Sequence, residues 1–292
     1  MTARMPSPGA HGAQTLPTLA SARPESPPPF RDLHARSHEG HVRIVNEDHF
    51  LVLDVQRRMR VRGSSLGATG PYGDTVGTLL VVADGMGGHD HGELASAITI
   101  DTIAELAARE LPVDRGSEEA SARSHDHFQR AVRECQRRIH AAAQRKGASM
   151  QAGTTMTALY AQDGVAEIAH VGDSRAYLMR PGSGLWRLTH DHTIGAQLEE
   201  ATGRVADRVA HILTNAIGGT EEEPRVEALH VPLFPNDRVL LCSDGLTNAI
   251  DDATLGEVLG QAERAEDAVE ALMGRVLAGE ARDNVTILVA IV

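Results

Sequence analysis

Three acids stand where apolar runs end: Val81-Val82-Ala83 stops at Asp84-Gly85, Ile168-Ala169-His170-Val171 at Gly172-Asp173, and Val239-Leu240-Leu241-Cys242 at Ser243-Asp244-Gly245. A fourth, Asp283, precedes the closing run Val285 to Val292. A carboxylate at a strand terminus can point into a cleft, and a following glycine lets its own carbonyl approach a bound ion. A single Asp-Gly is an ordinary turn. Recurrence after apolar runs is what singles these acids out. Carboxylates about 4 Å apart repel by roughly 1–4 kcal/mol per pair, so such a cluster must be protonated or filled by cations. Carboxylate and carbonyl ligands, without histidine or thiolate, favour Mg²⁺ or Mn²⁺ over zinc.

A second group is Arg43-Ile44-Val45-Asn46-Glu47-Asp48. Arginine offers a planar fork for two phosphate oxygens, and two acids follow within the same short stretch. Beside a metal cluster this points to a phosphate ester as substrate. Composition removes other chemistries. The net charge of −12 argues against nucleic acid or an anionic membrane as partner. Lys146 is the single lysine, so there is no Gly-Lys-Ser/Thr phosphate loop, and a Schiff-base lysine would have to be this one. Cys135 and Cys242 show no metal-ligand spacing and read as core residues in a reducing compartment. No run approaches the roughly 20 apolar residues of a membrane span, and residues 1–30 lack a secretory apolar region. The expected location is the cytoplasm.

The elements that must position these residues follow from periodicity. Residues 1–30 hold seven of the thirteen prolines and are expected to form a disordered tail ahead of one domain over 31–292. Gly40 to Asp48 and then Phe50 to Leu53 read as a strand or hairpin entry, residues 56–77 as a long loop, and Leu79 to Ala83 as a strand. Helices are expected from Gly92 to about Glu110 and from Asp126 to Arg145, the latter with Phe128, Val132, Cys135, Ile139 and Ala142 on one face. The arginines of that second helix read as a solvated face. Short strands follow at Met156–Tyr160, Val165–Val171, Ala176–Met179 and Leu185–Leu188. Residues 189–224 are irregular around a short helix near 194–201; a segment of that length is more often functional than idle. The chain closes with strands at Val226–Val231, Val239–Cys242 and Val285–Val292, and helices at Thr254–Gln261 and Glu266–Leu277. Helices come in pairs between strand blocks, which disfavours a doubly wound parallel sheet.

In order along the chain stand Arg43 with Asn46-Glu47-Asp48, Asp84-Gly85-Met86-Gly87-Gly88-His89, Gly92-Glu93 and Gly153-Thr154-Thr155. Gly172-Asp173-Ser174-Arg175, Leu188-Thr189 with Asp191-His192, Ser243-Asp244-Gly245 and Asp283-Asn284 complete the series. This ordered set, over about residues 38–292, resembles the metal-dependent Ser/Thr protein phosphatases of the PPM family, the 2C type, in their bacterial form. The resemblance implies an α+β fold with a central β-sandwich of two antiparallel sheets flanked by helix pairs, four layers in all. It implies two divalent cations, Mn²⁺ or Mg²⁺, with Asp84 bridging them and the Gly85 carbonyl on the second. Asp244 and Asp283 would complete the first site, Glu47 would hold the second through water, and Asp173 matches the place of a third ion. Asp48 and Asn284 would support these ligands, and Arg43 would clamp the substrate phosphate. A water activated between the two cations would attack phosphorus in line.

Met86 stands where eukaryotic members carry a histidine proposed as general acid. That role stays unassigned: a metal-bound water could protonate the leaving serine, with His89 or His91 as the lesser candidate. Residues 189–224 match the family's flap, where Asn215 replaces a frequent arginine. The expected partners are phosphorylated proteins, among them a Ser/Thr kinase and its substrates, met by a monomer. Two other readings stand beside this one. A Gly-Asp-Ser esterase using Ser174 would need a late catalytic histidine, and none follows His230. A phosphoprotein-binding domain without activity would be expected to have lost metal ligands. A dinucleotide site at Gly85-Met86-Gly87-Gly88 fails because Asp90 falls where the third glycine belongs.

Overall fold

The computed structural model describes residues 30–60, 71–87, 91–110, 118–145, 152–203 and 209–292. The expected tail up to residue 29, Lys146 and His89 lie outside them. One sheet runs, in spatial order, β1 (Asp32–His38), β13 (Val285–Ile291), β12 (Arg238–Cys242), β8 (Arg175–Arg180) and β9 (Gly184–Arg187). The other runs β11 (Glu227–Pro232), β7 (Val165–Val171), β6 (Met156–Gln162), β3 (Pro71–Ala83) and β2 (His49–Arg60). Every neighbouring pair is antiparallel. Between the acids sits a small ribbon of β4 (Gly85–Met86), β5 (Gly153–Thr154) and β10 (Ile217–Gly218).

Side-chain alternation builds the layers. In β3, Leu80 and Val82 face the second sheet and meet Leu178, Leu241 and Leu288. Leu79 and Val81 face outward, onto Ile103 of α1 (His91–Glu110) and onto Val132 and Ile139 of α2 (Glu118–Arg145). The opposite outer face, with Leu240, Ile287 and Val289, is covered by α5 (Asp252–Gln261) and α6 (Ala265–Ala278) through Leu255, Leu259, Val269 and Leu272. Strands buried on both faces need continuous apolar runs, and those runs make the strand ends conspicuous in the sequence. The expected four-layer α+β sandwich is therefore the fold observed.

Several local expectations change. β1 was not foreseen, and residues 56–77 are no simple loop: β2 extends through Arg60 and β3 begins at Pro71. The short helices are α3 (Ile194–Thr202), capped by Thr193 and ended by Gly203 in the left-handed region, and α4 (Asp244–Thr247). The α2 arginines are mostly paired: Arg137 and Arg138 with Glu134, Arg138 also with Glu105, and Arg133 with Glu223.

Both cysteines are buried and free, and burial pushes each thiol up to about 12, which excludes either as a nucleophile. Leu241, fully buried between the sheets, tests the packing. Leu241→Ala should cost ~2–5 kcal/mol of stability, read from the denaturation midpoint in urea at constant slope.

Candidate metal centre

The site forms where strands of both sheets end. β3 delivers Asp84, and the Gly153-Thr154-Thr155 segment grips its backbone from both sides. The Asp84 N–H donates to Thr155 Oγ1 at 3.0 Å, while its carbonyl accepts from Thr154 Oγ1 at 2.8 Å and from the Thr155 N–H at 2.9 Å. Gly85 then passes through a space no side chain could share: a Cβ there would lie 2.3 Å from the Gly92 carbonyl oxygen and 2.6 Å from that of Glu47. Its N–H donates to the Glu47 carbonyl at 3.2 Å, which ties β4 to the Arg43–Asp48 loop.

That loop is held by Asn284. Its Oδ1 accepts the Glu47 N–H at 2.9 Å, and its Nδ2 donates to the carbonyls of Glu39 and Val45 at 3.0 and 3.1 Å. Asp283, next in chain, accepts the Arg43 Nη2 at 2.8 Å. Asp244 opens α4 after Ser243 and accepts from Asn248 Nδ2 at 3.0 Å. Gly245 packs under it so tightly that a Cβ would stand 2.0 Å from the Asn284 carbonyl oxygen. Ser243 Oγ donates to Asp48 Oδ2 at 2.7 Å, whereas Asp48 Oδ1 is buried with no partner.

Electrostatics mark these acids as one group. Burial, and then the charges of Asp48, Asp244 and Asp173, raise the Asp84 carboxyl well above the ordinary carboxylate range. Burial also raises Asp244, helped by the Asp283 charge, and the Asp84 carboxyl lies within hydrogen-bonding reach of it. Asp48 is lifted to about 7 by burial, against the bond from Ser243. Asp173 is lifted to about 7 by burial and then by Asp244. Among the described residues, Arg43 alone forms an ion pair with a member of the cluster. The donor set is all oxygen, one carboxylate oxygen is buried and orphaned, and Gly85 follows Asp84 through a space that admits no side chain. These residues fit hard divalent cations such as Mn²⁺ or Mg²⁺.

The structure thus brings Glu47, Asp48, Asp84, Gly85, Asp173, Asp244 and Asp283 together beside Arg43. Met86 packs against Gly153, in the ribbon, with its Cε at the place a Gly153 Cβ would need. Ser174 is fully buried and shares a 2.7 Å hydrogen bond with Thr155, so it braces the Asp84 support and is not placed to act as an esterase nucleophile. The role of that Thr155–Ser174 pair was not read from the sequence, although both residues lie inside quoted motifs.

A second network went unread. His192 Nδ1 accepts from the Gly172 N–H at 3.1 Å and from Asn215 Nδ2 at 2.9 Å. Its backbone closes the same junction: the His192 N–H donates to the Gly172 carbonyl, and its carbonyl accepts from the Thr214 N–H, both at 2.8 Å. The segment after Asp173 is thereby tied to the return of the 189–224 stretch. His170, His192 and Glu227 bring ligand-type atoms within 4.8 Å of one another. Both His170 nitrogens are engaged, with Thr157 Oγ1 and the His190 carbonyl, and His192 Nδ1 with Gly172 and Asn215, so these histidines hold loops together.

Two measurements test the centre. Folded-state values near 7 for Asp48 and Asp173 lie above the ordinary aspartate value of about 4. The metal-free fold is favoured while these carboxyls keep their protons, and that stabilisation is lost as pH rises through about 7. The melting temperature of EDTA-treated protein should fall between about pH 5 and pH 8, with Mn²⁺ restoring most at the upper end; a rise over that range would contradict the cluster. Gly85→Ala should weaken Mn²⁺ binding by about tenfold or more in titration calorimetry, since its backbone must move.

The sequence pattern of the protein phosphatase 2C family matches residues 72–282. The serine/threonine protein phosphatase PstP of Mycobacterium tuberculosis is 35% identical over 218 residues, 73% of this chain and 40% of that protein. The chain thus spans about two fifths of the length of the mycobacterial relative. The serine/threonine phosphatase stp of Listeria innocua is 31% identical over 72% of this chain and 82% of its own. Among solved structures, the catalytic domain of PstP in complex with two manganese ions superposes with a TM-score of 0.68 at 32% identity, covering 89% of this chain and 96% of that one. With the ordered motifs, the four-layer sandwich and the acid cluster at its edge, the chain belongs to the protein phosphatase 2C family.

Proposed function

We propose that this protein is a metal-dependent protein serine/threonine phosphatase that hydrolyses phosphoserine and phosphothreonine. The observation that carries this reading is the convergence of five aspartates and Glu47 on one strand-end cleft with Arg43 at its border. In this reading Asp84, Asp244 and Asp283 would hold one divalent cation, Asp84, the Gly85 carbonyl and Glu47 would hold a second, and Asp173 would serve a third. When bound, such cations would supply positive charge for activating a water and for offsetting the charge on the phosphoryl oxygens.

The chain's own residues do the rest. The Arg43 fork binds two phosphate oxygens and turns the ester for in-line attack. Asp48 and Asn284 fix the ligands and the loop that carries Arg43. Water oxygen bonds to phosphorus as the bond to the serine or threonine oxygen breaks; one proton of that water ends on the leaving oxygen and the other stays with the phosphate. Met86 has no proton to give; its thioether packs the ribbon that carries Gly85. The substrates are phosphoproteins made by a Ser/Thr kinase, and the setting is the cytoplasm.

The deciding assay is phosphate release from a phosphothreonine peptide. Wild type with Mn²⁺ should be active, while EDTA or Asp244→Asn should remove nearly all turnover. Equal rates under all three conditions would refute the metal mechanism, and metal binding without turnover in any would point to a phosphoprotein-binding domain. Arg43→Ala should lower kcat/KM by about a hundredfold, the scale of losing one aligned charge donor.

A further inference from the structure

The loop that carries Arg43 has an apolar tip. Ile44 is 98% exposed and Val42 65% exposed, on either side of the arginine in sequence. Single exposed aliphatic residues are common and need no explanation. These two differ in place and in rigidity. Arg43, between them, reaches Asp283 at 2.8 Å, so the tip borders the acid cluster. The loop is also pinned on both sides: the His41 N–H donates to the Ala281 carbonyl at 2.7 Å, Asn46 Nδ2 to Ser37 Oγ at 2.8 Å, and Asn284 Nδ2 to the Val45 carbonyl at 3.1 Å. Two bare aliphatic side chains are thereby carried on a pinned loop whose arginine borders the acid cluster. Of the six large apolar residues exposed among the described ones, Val42, Ile44 and Val45 lie on this loop and Ile212 on the 189–224 segment; only Phe50 and Val52 belong to a strand.

We propose that Val42 and Ile44 form a docking surface for an aliphatic side chain next to the phosphorylated residue of a protein substrate. The inference rests on the phosphatase reading above. The occupant is argued from continuity with the proposed phosphate site: the loop whose Arg43 would meet the phosphate also carries Val42 and Ile44, so the partner we assign to them is the substrate's residue flanking that phosphate. Covering such side chains removes apolar surface from water only when that neighbour is itself apolar, so the surface selects by the residue flanking the phosphate. Because it acts away from the reacting bond, selection appears in KM more than in kcat.

The test uses the wild-type chain and the double variant Val42→Ser/Ile44→Ser with Mn²⁺. Two phosphothreonine peptides differ only in flanking residues, leucine in one and asparagine in the other, and p-nitrophenyl phosphate is assayed in parallel. The wild-type ratio of kcat/KM, leucine over asparagine, should be about tenfold and carried by KM, and in the variant it should fall toward one. A ratio near one in wild type, or a tenfold ratio that survives in the variant, overturns the docking surface. p-Nitrophenyl phosphate separates the failures. Hydrolysis by wild type without peptide preference sinks the docking surface alone, whereas no hydrolysis of any substrate sinks the phosphatase reading with it. Size-exclusion chromatography adds one more decisive outcome: a wild-type dimer that the variant dissolves, with no peptide preference, would make the tip a contact between copies and overturn the proposal.

Discussion

Mutual repulsion among carboxylates governs this structure. Asp48, Asp84, Asp173 and Asp244 are all raised by burial and then by charges of neighbouring carboxylates, Asp283 among them, so the fold holds in one place groups that would separate if free to do so. Such an arrangement persists only where the backbone is over-determined. Asp84 shows how: three hydrogen bonds with two threonines, one donated by its own N–H and two accepted by its carbonyl, fix its backbone, and the close passages at Gly85 and Gly245 leave no room for a side chain to relieve the crowding. The divalent cations that such a donor set fits would turn the repulsion into coordination.

Position in the cleft depends on hydrogen bonds that skip long stretches of chain. Asn284 ties the end of the sequence to the Arg43–Asp48 loop near its beginning, and Ser243 ties α4 to Asp48. Thr155 and Ser174 join the support of Asp84 to the turn that carries Asp173. His192 extends the frame outward by accepting from Gly172 and Asn215 on one nitrogen. A shift of the 189–224 segment at Asn215 would therefore be felt one residue from Asp173.

Asp84, Asp173 and Asp244 were legible in the sequence because each comes just after a strand whose apolar run ends abruptly, and Asp283 because it comes just before another. The same logic explains what was not legible. β1 is an edge strand of half-buried residues, Asp-Leu-His-Ala-Arg-Ser-His, with no apolar run to announce it. The far half of β2, Gln56-Arg57-Arg58-Met59-Arg60, pairs with β3 through backbone bonds that composition does not report. The ribbon strands are two residues long, too short for any period. Thr155, Ser174 and Asn284 sat in quoted motifs, but their bonds join elements far apart in sequence, so spacing could not disclose them. Ser174 shows the hazard in reverse: Gly-Asp-Ser reads locally as a nucleophile, and only burial reveals a brace.

A site that costs stability must be carried by structure that does not depend on it. The three apolar layers meet that need: one lies between the sheets and one under each helix group, and each is built from residues almost wholly removed from water. None of their members is an acid of the cluster. The sandwich can therefore stand while the acids are protonated, ionised or coordinated, and the energetic consequences of each state stay local to the strand ends. Placing ligands just past the last buried residue of each strand keeps them close to rigid structure and outside the core. One residue earlier, the same aspartate would be an unpaired charge among leucines and valines, which folding could not absorb. The apolar runs and the acids that end them are thus two parts of one constraint.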